Sequence, residues 1–567
     1  MENTAPAEAD DRAGLRPWGD LALKGSGRAE AMQLEFHVGQ LARQPYTVFL
    51  SHDSWDDFSF QTLFHVTYCD GGGDMHALGS VKIGEYGLRS APRGSWAPGY
   101  RSPALPARFW HLEAAQHFSL GQDPRYYEWV NAMGPEFRVA YLTAMNDIAF
   151  DRSIRESAFG ESVTQMSLLR TVSARTVADQ FERLASGGDA TVSYDLSFPV
   201  RDKADAVSLR CTVAPNTMPP ENIQVLIGRN GVGKSTTLHE IARMLIVGAR
   251  EPLIEERIRE QRSQLANLVS VTFSAFDEFE PIPDNRGADG LIYHYVGLKE
   301  LEVPTADVGQ KNSGGQSIAG PTNREAGQAP VIWRPRTSRQ LDTETVEATK
   351  ECLAVEERRE RLARALQFLD KDPNFAEFGV TGIVLTATPD DIELALLPVL
   401  GKMSSGHRIV LLTVTKLVET VAEKTLVLMD EPEAHLHPPL LSALLRALSD
   451  LLADRNGLAV VATHSPVVLQ EVPRSCVNIV EKDNHEISLH EPQLETFGEN
   501  VGTLTGEVFG LDVPDTGFHD MIRQVVEEVD DYKAGLDKFG GHLGAEARAL
   551  LRSMIAAKAA QGRDVGR

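Results

Sequence analysis

The sequence is poor in cysteine, and it contains no long apolar run. Four cysteines occur among 567 residues, and their spacing matches neither a disulfide framework nor a metal site. We interpret them as buried, reduced thiols of a cytosolic protein. No apolar segment reaches the roughly 18 residues that a membrane-spanning helix needs. The polar, acidic start of the chain does not resemble a signal peptide. The sequence therefore predicts a cytoplasmic protein with no membrane partner.

Basic residues are scarce relative to acidic ones. The chain has 56 Lys and Arg against 80 Asp and Glu, which gives a formal charge of −24 at pH 7. A charge of this size argues against a broadly basic surface for nucleic acid or for an anionic membrane. Any contact with nucleic acid is therefore expected to be local. The hydrophobic fraction of 42% and the charged fraction of 24% are those of an ordinary globular protein.

A glycine-rich segment between a strand pattern and a helix pattern carries the strongest chemical signal. Apolar residues 223–227 lead into it, and residues 237–245 leave it with helical spacing. Backbone NH groups of such a loop surround phosphate oxygens at the positive end of the following helix, so the segment predicts an ATP site. Lys234 is expected to reach the β- and γ-phosphates, and the Ser235 hydroxyl to bind Mg²⁺. The predicted loop residues are Gly228, Arg229, Asn230, Gly231, Val232, Gly233, Lys234, Ser235 and Thr236.

Two carboxylates follow a second apolar strand pattern, Leu426 to Asp430. Asp430 is expected to hold Mg²⁺ directly or through water, and Glu431 to orient and deprotonate the attacking water. The alternative is a buried strand that ends in an exposed acidic turn. A further apolar strand ends at Thr463-His464, where a residue that senses the γ-phosphate is expected. A single histidine is more often structural, so both interpretations of His464 stay open.

Small residues open the helix that precedes the carboxylate strand. Ser404, Ser405 and Gly406 stand at its N-terminus, where backbone NH groups favour an anion. Met403 to His407 resembles the LSGGQ-like signature of the ABC ATPase superfamily, with Ser for the first Gly and His for the final Gln. The resemblance implies that this segment contacts the γ-phosphate of a nucleotide held by a second subunit. The alternative is an ordinary helix cap.

A second candidate for the signature, Ser313-Gly-Gly-Gln316, is rejected. It lies in a Gly- and Pro-rich stretch without an apolar helix after it, far from Asp430. Residues 403–407 stand one helix and one turn before the carboxylate strand, which is the spacing that the fold needs.

The resemblance implies an α/β fold, in which an ABC-type head with a mixed sheet carries helical insertions. We expect six segments along the chain. They are a disordered tail (1–30), a mixed, initially β-rich region within or appended to the head (31–190), a lobe with the phosphate loop (191–280), an insertion with a helical subdomain (281–400), a second part of the head (401–515) and a helical C-terminus (516–567).

Residues after Glu431 narrow the family. Asp430-Glu-Pro-Glu-Ala-His-Leu-His-Pro438 and Thr463-His-Ser-Pro466 resemble the overcoming-lysogenization-defect group of ABC ATPases. His435 and His437 match the loop that lies between protomers in that family, although a metal site is the alternative. The usual Gln that follows the strand near residue 273 is missing, and Ser274 to Asp277 stands in its place.

Three stretches look most like the ATPase of Septu-type antiphage systems and their retron-associated relatives. They are residues 227–234, residues 404–412, and residues 467–473 followed by 495–500. The resemblance implies an HNH-type nuclease partner, and sometimes a reverse transcriptase with its DNA–RNA product. No Asp-x-Asp pair follows His464, so a built-in metal-dependent nuclease is not expected. The C-terminal helices either dock a partner or form a stabilising bundle.

One stretch alternates basic and aromatic residues without an intervening acid. It contains Arg89, Arg93, Trp96, Tyr100, Arg101, Arg108, Phe109 and Trp110. Such alternation is compatible with binding a nucleic-acid strand, because bases stack on rings while arginines contact phosphates. A Pro-rich loop whose aromatic residues pack on the core is the favoured alternative.

The leading hypothesis is a head-to-tail dimeric ATPase that uses ATP and Mg²⁺ and controls a partner nuclease in antiphage defence. A DNA-repair or chromosome-maintenance ATPase is the second hypothesis, and the lack of a long coiled coil counts against it. A transporter motor is the third, and the missing Gln and the long N-terminal region fit it poorly.

Overall fold

The structure is a computed structural model that describes most of the chain. The described residues are 32–39, 41–54, 56–91, 100–170, 172–203, 205–215, 217–272, 282, 285–286, 291–302, 332–483, 486–509 and 518–564. The predicted tail 1–30, the segment Ser274 to Asp277 and the rejected motif Ser313 to Gln316 lie outside the described residues.

The N-terminal region forms a sheet of its own. Its six strands are β1 (Glu35–Val38), β2 (Thr47–His52), β3 (Leu63–Cys69), β4 (Met75–Glu85), β5 (Arg108–Phe109) and β6 (His117–Gly121). They are arranged in the order β5-β1-β2-β3-β4-β6, with β1 and β2 parallel and the other pairs antiparallel. This sheet confirms the predicted β-rich start of the region.

Helices follow the sheet and share its aromatic core. They are α1 (Pro124–Ala132), α2 (Pro135–Ala144), α3 (Arg152–Ala158), a π-helical turn (Thr164–Leu168), α4 (Ala174–Thr176), a second π-helical turn (Val177–Phe181) and α5 (Glu182–Ala185). Tyr126, Tyr127 and Tyr141 are fully buried in this core. Side chains of Asp123 and Asp151 accept backbone NH groups at the starts of α1 and α3.

The second sheet carries the glycine-rich loop. The strands that follow the N-terminal region are β7 (Tyr194–Pro199), β8 (Ser208–Val213), β9 (Ile223–Ile227), β10 (Asn267–Thr272), β11 (Asn285–Arg286), β12 (Ile292–Gly297), β13 (Lys299–Glu302), β14 (Ile332–Pro335), β15 (Leu426–Asp430), β16 (Leu458–Thr463), β17 (Val477–Asp483) and β18 (Glu486–His490). Eight of them form one sheet in the order β11-β12-β10-β15-β16-β9-β17-β18. The strands from β12 to β17 are parallel, and both edge strands are antiparallel.

Helices cover both faces of this sheet. They are α6 (Lys234–Ile246), α7 (Pro252–Gln264), α8 (Ser338–Leu353), α9 (Glu356–Leu369), α10 (Pro373–Ala376), α11 (Val380–Thr386), α12 (Ile392–Leu400), α13 (Ser405–Thr420), α14 (Pro438–Asp454), α15 (Pro466–Leu469) and α16 (Val501–Phe509). Every residue of β9, β15 and β16 is buried, as expected of strands covered on both faces. The predicted α/β architecture, with a mixed sheet between helices, is confirmed.

The predicted helical subdomain begins with two helices, α8 and α9, and a short break separates them. Val355 is extended there, with φ −124° and ψ 120°. Both Ala354 and Val355 are buried at the break. Tertiary packing therefore ends α8 at a point where the sequence offers neither Gly nor Pro.

The C-terminal region is helical, as predicted. It consists of α17 (Phe518–Glu528), α18 (Tyr532–Lys538) and α19 (Ala545–Asp564). Ile522 and Leu551 belong to a small hydrophobic core within this region. No helix among the described residues is long and apolar enough to cross a membrane.

All four cysteines are buried and none forms a disulfide. Burial raises the pKa of the Cys352 thiol to about 12, and the pKa of Cys476 to the same value. The prediction of buried thiols is confirmed.

Candidate functional site

The carboxyl ends of three neighbouring strands bring the predicted site residues together. Strands β15, β16 and β9 are adjacent and parallel, so the residues that follow them emerge at one edge of the sheet. The glycine-rich loop follows β9, Glu431 follows β15 and His464 follows β16. This edge is where open parallel sheets bind ligands.

Backbone geometry explains the glycines of the loop. Gly231 and Gly233 have φ values of +79° and +103°, in the region that side chains disfavour. At Gly228 the reason is space, because a Cβ atom would lie 2.5 Å from the Val480 carbonyl oxygen. The loop therefore holds a backbone path that other residue types strain, and it ends at the N-terminus of α6.

Lys234 begins α6 and folds back under the loop. Its Nζ donates hydrogen bonds to the carbonyl oxygens of Gly228 at 3.0 Å and Arg229 at 3.1 Å. Burial lowers the pKa of Lys234, while the nearby carboxylates of Glu431, Asp430 and Glu433 oppose that shift. The ammonium group is thus held at the loop, close to the carboxylates of the sheet edge.

Ser235 and Asp430 meet directly. The Ser235 hydroxyl donates a hydrogen bond of 3.0 Å to Oδ1 of the largely buried Asp430. A hydroxyl and a carboxylate at this separation are hard oxygen ligands that one Mg²⁺ ion accepts together. Ser235 and Asp430 are 195 residues apart in sequence. The fold brings them together where the N-terminus of α6 meets the edge of the sheet.

Glu431 has a left-handed backbone. Its φ is 45° and its ψ is 57°, although it is not a glycine. Its NH donates to the Ala462 carbonyl at 2.9 Å, which ties the residue to the neighbouring strand. A conformation of this kind costs of order 1–3 kcal/mol and is concentrated at functional sites. It turns the side chain out of the strand, where it remains one-third exposed.

His464 lies beside two carboxylates. Its Nδ1 is 3.7 Å from Oε1 of Glu431 and 3.3 Å from Oε1 of Glu433. The same Glu433 oxygen accepts hydrogen bonds from the Thr463 hydroxyl at 2.6 Å and from the His464 NH at 2.8 Å. Glu433 therefore fixes the turn that presents His464. Sequence reasoning missed this role, although the residue stands only two positions after Glu431.

The signature segment caps α13. The Ser404 hydroxyl accepts the His407 NH at 3.3 Å and lies 2.8 Å from Nδ1 of the same histidine. Ser404 and Ser405 are exposed, whereas Gly406 is buried. A Cβ on Gly406 would lie 2.5 Å from the His435 carbonyl oxygen, so the helix start packs against the turn that follows Glu431. This close contact explains why glycine is needed there.

His437 contacts an acidic side chain. Its Nε2 is 2.6 Å from Oδ2 of the buried Asp372, which also accepts the first NH groups of α10. No group of three potential metal-binding side chains occurs in the described part of the chain. The contact with Asp372 gives His437 a structural role at the start of α14.

A small cavity adjoins the Ser235–Asp430 pair. It encloses about 60 Å³ and is lined by Thr272 and Tyr295, among others. The hydroxyl groups of these two residues are 2.9 Å apart. Thr272 ends β10 two residues before Ser274, where the family resemblance leads us to expect a Gln. The position itself lies outside the described residues.

Part of the basic and aromatic stretch is structural. Arg101 is buried, forms an ion pair with Asp56 and donates to the Ala91 carbonyl at 2.6 Å. Phe109 is also buried and stacks on Phe36 with ring centroids 5.0 Å apart. Arg93 and Trp96 lie outside the described residues. In contrast, Arg89, Tyr100, Arg108 and Trp110 are exposed.

Comparison with known proteins places this geometry in a family. Protein ea59 of Escherichia phage lambda is 35% identical to the chain over 539 residues, which cover 89% of the chain and 94% of the relative. The chain belongs to the ea59 family. Residues 333–470 also match the family described as "AAA domain, putative AbiEii toxin, Type IV TA system".

This member of the ea59 family therefore contains an AAA-type ATPase domain. The matched residues include the start of α13, Asp430, Glu431 and His464, but they begin after the glycine-rich loop. The loop is joined to the matched part by the adjacency of β9 and β16 and by the Ser235–Asp430 hydrogen bond. A domain of this kind indicates nucleotide use, and it is consistent with the overcoming-lysogenization-defect group.

Proposed function

We propose that the chain is an ABC-type ATPase that binds ATP with Mg²⁺ and hydrolyses it in a head-to-tail dimer. The observation that carries the proposal is the Ser235–Asp430 hydrogen bond at the edge where Glu431 and His464 also emerge. Phosphoryl transfer to water requires groups that bind the phosphates, hold the metal and position the water. One sheet edge supplies them here as a phosphate loop, two oxygen ligands, a carboxylate and a histidine.

In this proposal, residues of one chain bind the phosphates, hold the metal and activate the water. Backbone NH groups of the loop and the Lys234 ammonium bind phosphate oxygens, and Ser235 and Asp430 bind the metal. When bound, Mg²⁺ supplies positive charge that offsets the charge of the phosphates. Glu431 accepts the proton of the attacking water, and His464 donates a hydrogen bond to the terminal phosphate. Glu433 keeps His464 in place.

A second chain completes the site. Ser404 and Ser405 are exposed at the N-terminus of a 16-residue helix, where NH groups and the helix dipole favour an anion. A two-fold interface that presents this helix end to the partner's nucleotide forms two such sites at once. ATP then favours the closed dimer, and hydrolysis releases it.

Self-association of a Glu431→Gln variant tests the dimer. The variant retains bound ATP, so saturating MgATP is expected to convert it from monomer to dimer in sedimentation velocity. A Lys234→Ala/Glu431→Gln double variant is the matched control, and it is expected to stay unchanged by MgATP. A Glu431→Gln protein that remains monomeric with bound MgATP would contradict the dimer proposal.

We further propose that the ATPase regulates an effector nuclease in antiphage defence. This part is supported by the resemblance to Septu-type ATPases, which implies an HNH-type partner and in retron forms a reverse transcriptase with its DNA–RNA product. Co-purification of an HNH nuclease encoded beside the gene, together with plaque reduction that needs Glu431, is the expected result. Unchanged plaque counts on cells that express both proteins would count against it.

A DNA-repair or chromosome-maintenance ATPase is the second candidate. The exposed Arg89, Tyr100, Arg108 and Trp110 favour it, since they provide positive charge and aromatic rings for contact with a nucleic-acid strand. In that case the isolated protein binds duplex DNA with an affinity that ATP raises and salt lowers. Binding that is lost in an Arg89→Ala/Arg108→Ala variant would favour this candidate over the effector proposal.

A further inference from the structure

A third cationic group lies at the start of α6, in addition to the helix N-terminus and Lys234. Nη2 of Arg201 is 2.7 Å from the place where a Cβ on Gly233 would stand. Gly233 is the left-handed residue that immediately precedes α6. The guanidinium group therefore packs against the last turn of the phosphate loop, and any larger residue at Gly233 would displace it.

The position of Arg201 is built into the fold. Arg201 follows β7 in the loop that joins it to β8, and the next residue, Asp202, is anchored firmly. Asp202 forms a 2.6 Å ion pair with Arg243 of α6 and accepts the NH groups of Arg250 at 2.8 Å and Glu251 at 3.4 Å. These bonds lower the pKa of Asp202, although burial opposes them. The loop is thus fastened to the helix whose N-terminus Arg201 approaches.

Arg201 has little else to bind. Its Nη1 donates to the carbonyl oxygen of the neighbouring Val200 at 3.2 Å. Among the described residues it forms no ion pair, and Glu240 is the acidic group that acts on it through space. Burial lowers the pKa of Arg201, and the nearby Glu240 opposes that shift.

Arg201 adds a side-chain cation beside Gly233, the residue that immediately precedes α6 and Lys234. The N-terminus of α6 carries about half a unit charge, and Lys234 and Arg201 each add one. A polyphosphate bound in the loop supplies several negative oxygens that these positively charged groups can bind. The planar guanidinium is suited to such oxygens because it donates two parallel hydrogen bonds.

We propose that Arg201 binds the phosphate groups of the nucleotide beside Gly233, as a second side-chain cation in addition to Lys234. The inference rests on the proposed nucleotide site and names a residue that lies outside the sequence motif. Arg201 is a binding residue in this account, and Asp202 is a positioning residue that acts through it.

Nucleotide affinity of an Arg201→Ala variant tests the inference. In a Glu431→Gln background, calorimetric titration with MgATP is expected to show binding weakened about 10- to 100-fold, the effect of losing a charge-assisted hydrogen bond. Arg201→Lys is expected to recover part of the loss. The deficit should be smaller at high salt, because the contact is electrostatic. Arg210→Ala, an exposed arginine of the same hairpin, is the matched control and is expected to bind as well as the parent.

Two further measurements separate binding from folding. Thermal unfolding without nucleotide is expected to be unchanged in Arg201→Ala, since this side chain forms no ion pair within the part of the chain that the structure describes. Asp202→Asn is expected to weaken MgATP binding less than Arg201→Ala, and to have no effect in a chain that already lacks Arg201. An additive effect of the two changes would overturn the positioning role.

The outcomes distinguish this inference from the proposed function. Parent protein that binds MgATP, with Lys234→Ala weakened and Arg201→Ala unchanged, would overturn the inference alone. Parent protein that does not bind MgATP would overturn both. An equal loss of affinity for adenosine and for ATP would also overturn the inference, because it would assign Arg201 to the base.

Discussion

Glu431 and Glu433 have different tasks although they are two positions apart. Glu431 is one-third exposed on a left-handed backbone, whereas the side chain of Glu433 is 9% exposed and holds both Thr463 and His464. The exposed carboxylate is available to water, and the buried one is committed to the neighbouring strand. At the scale of single residues, this difference in environment favours Glu431 over Glu433 as the proposed general base.

Replacing Glu431 with Gln is expected to lower the rate of phosphate release about 100- to 10,000-fold, because the variant lacks the proton acceptor. ATP affinity is expected to stay within about threefold of the parent. Phosphate release under saturating MgATP measures the first quantity, and calorimetry the second. Glu481→Gln, an exposed carboxylate on β17, is the control. Hydrolysis at the parental rate in Glu431→Gln would contradict the assignment.

Asp147 is expected to make the free energy of unfolding depend on pH. It is fully buried, and burial raises its pKa from the ordinary 3.8 to about 7, although hydrogen bonds from Phe150, Ala149 and Tyr127 oppose the shift. The folded protein therefore keeps a proton that the unfolded chain releases between about pH 4 and pH 7. Its contribution to stability falls as the pH rises through that window and is lowest above pH 7.

An Asp147→Asn variant lacks this pH dependence. The difference in unfolding free energy, parent minus variant, is expected to fall as the pH rises from 5 to 8, by at most about 1.4 kcal/mol per pH unit. Urea unfolding at several pH values measures it. A difference that is independent of pH would show that Asp147 titrates normally.

At the scale of secondary-structure elements, α13 and the turn after Glu431 form a close contact. The His435 carbonyl leaves no space for a Cβ at Gly406, and the same turn leads through His437 into α14. We therefore expect a shift of α13 to move the turn that follows Glu431. In the proposed dimer, this contact would join the helix end that faces the partner to the residues that face the nucleotide.

Gly406→Ala is expected to push these two elements apart, because the added Cβ meets backbone rather than a movable side chain. ATP hydrolysis is expected to fall at least about tenfold, while ATP binding by the single chain is retained. Gly382→Ala is the matched control. Gly382 lies in α11, and a Cβ added there would meet no other atom within 4 Å. That change is expected to stabilise the protein by about 0.5–1 kcal/mol. Equal activities for the two variants would exclude the contact as a link.

Elements near the site are predictable from the sequence, and contacts between them are not. Strand β9, the loop and α6 are all confirmed, because apolar periodicity and glycine spacing are local signals. Glu433, Arg201 and the Gly406–His435 contact depend on residues that only the fold brings together. The break between α8 and α9 belongs to the same class, since buried packing at Val355 overrides local helix preference.

At the scale of the whole molecule, buried ion pairs join the N-terminal region to the ATPase domain. Arg361 of α9 is 1% exposed and binds Asp123 at 2.7 Å and Asp454 at 2.9 Å. Arg455 also pairs with Asp123. Burial alone raises the pKa of Asp123, but the two arginines outweigh it and hold that pKa well below its ordinary value. The N-terminal region is therefore fastened to the end of α14 whose start lies at the site.

Arg361→Met is expected to lower the unfolding free energy by about 3–5 kcal/mol, because two carboxylates lose a buried partner. Arg152→Met removes an exposed pair and is expected to change it by less than about 0.5 kcal/mol. Urea unfolding at pH 7 compares the two variants. Equal midpoints would mean that the buried network contributes nothing to the junction.

ATPase activity of mixed variants tests the central claim, a site shared between two chains. Lys234→Ala disables the loop, and Ser405→Arg blocks the exposed helix end, so each variant alone is expected to be inactive. A head-to-tail dimer formed from one of each contains one intact site. An equimolar mixture is therefore expected to recover roughly a quarter of the parental rate, since half of the randomly formed dimers carry one working site of two. A mixture as inactive as its components would contradict the shared site.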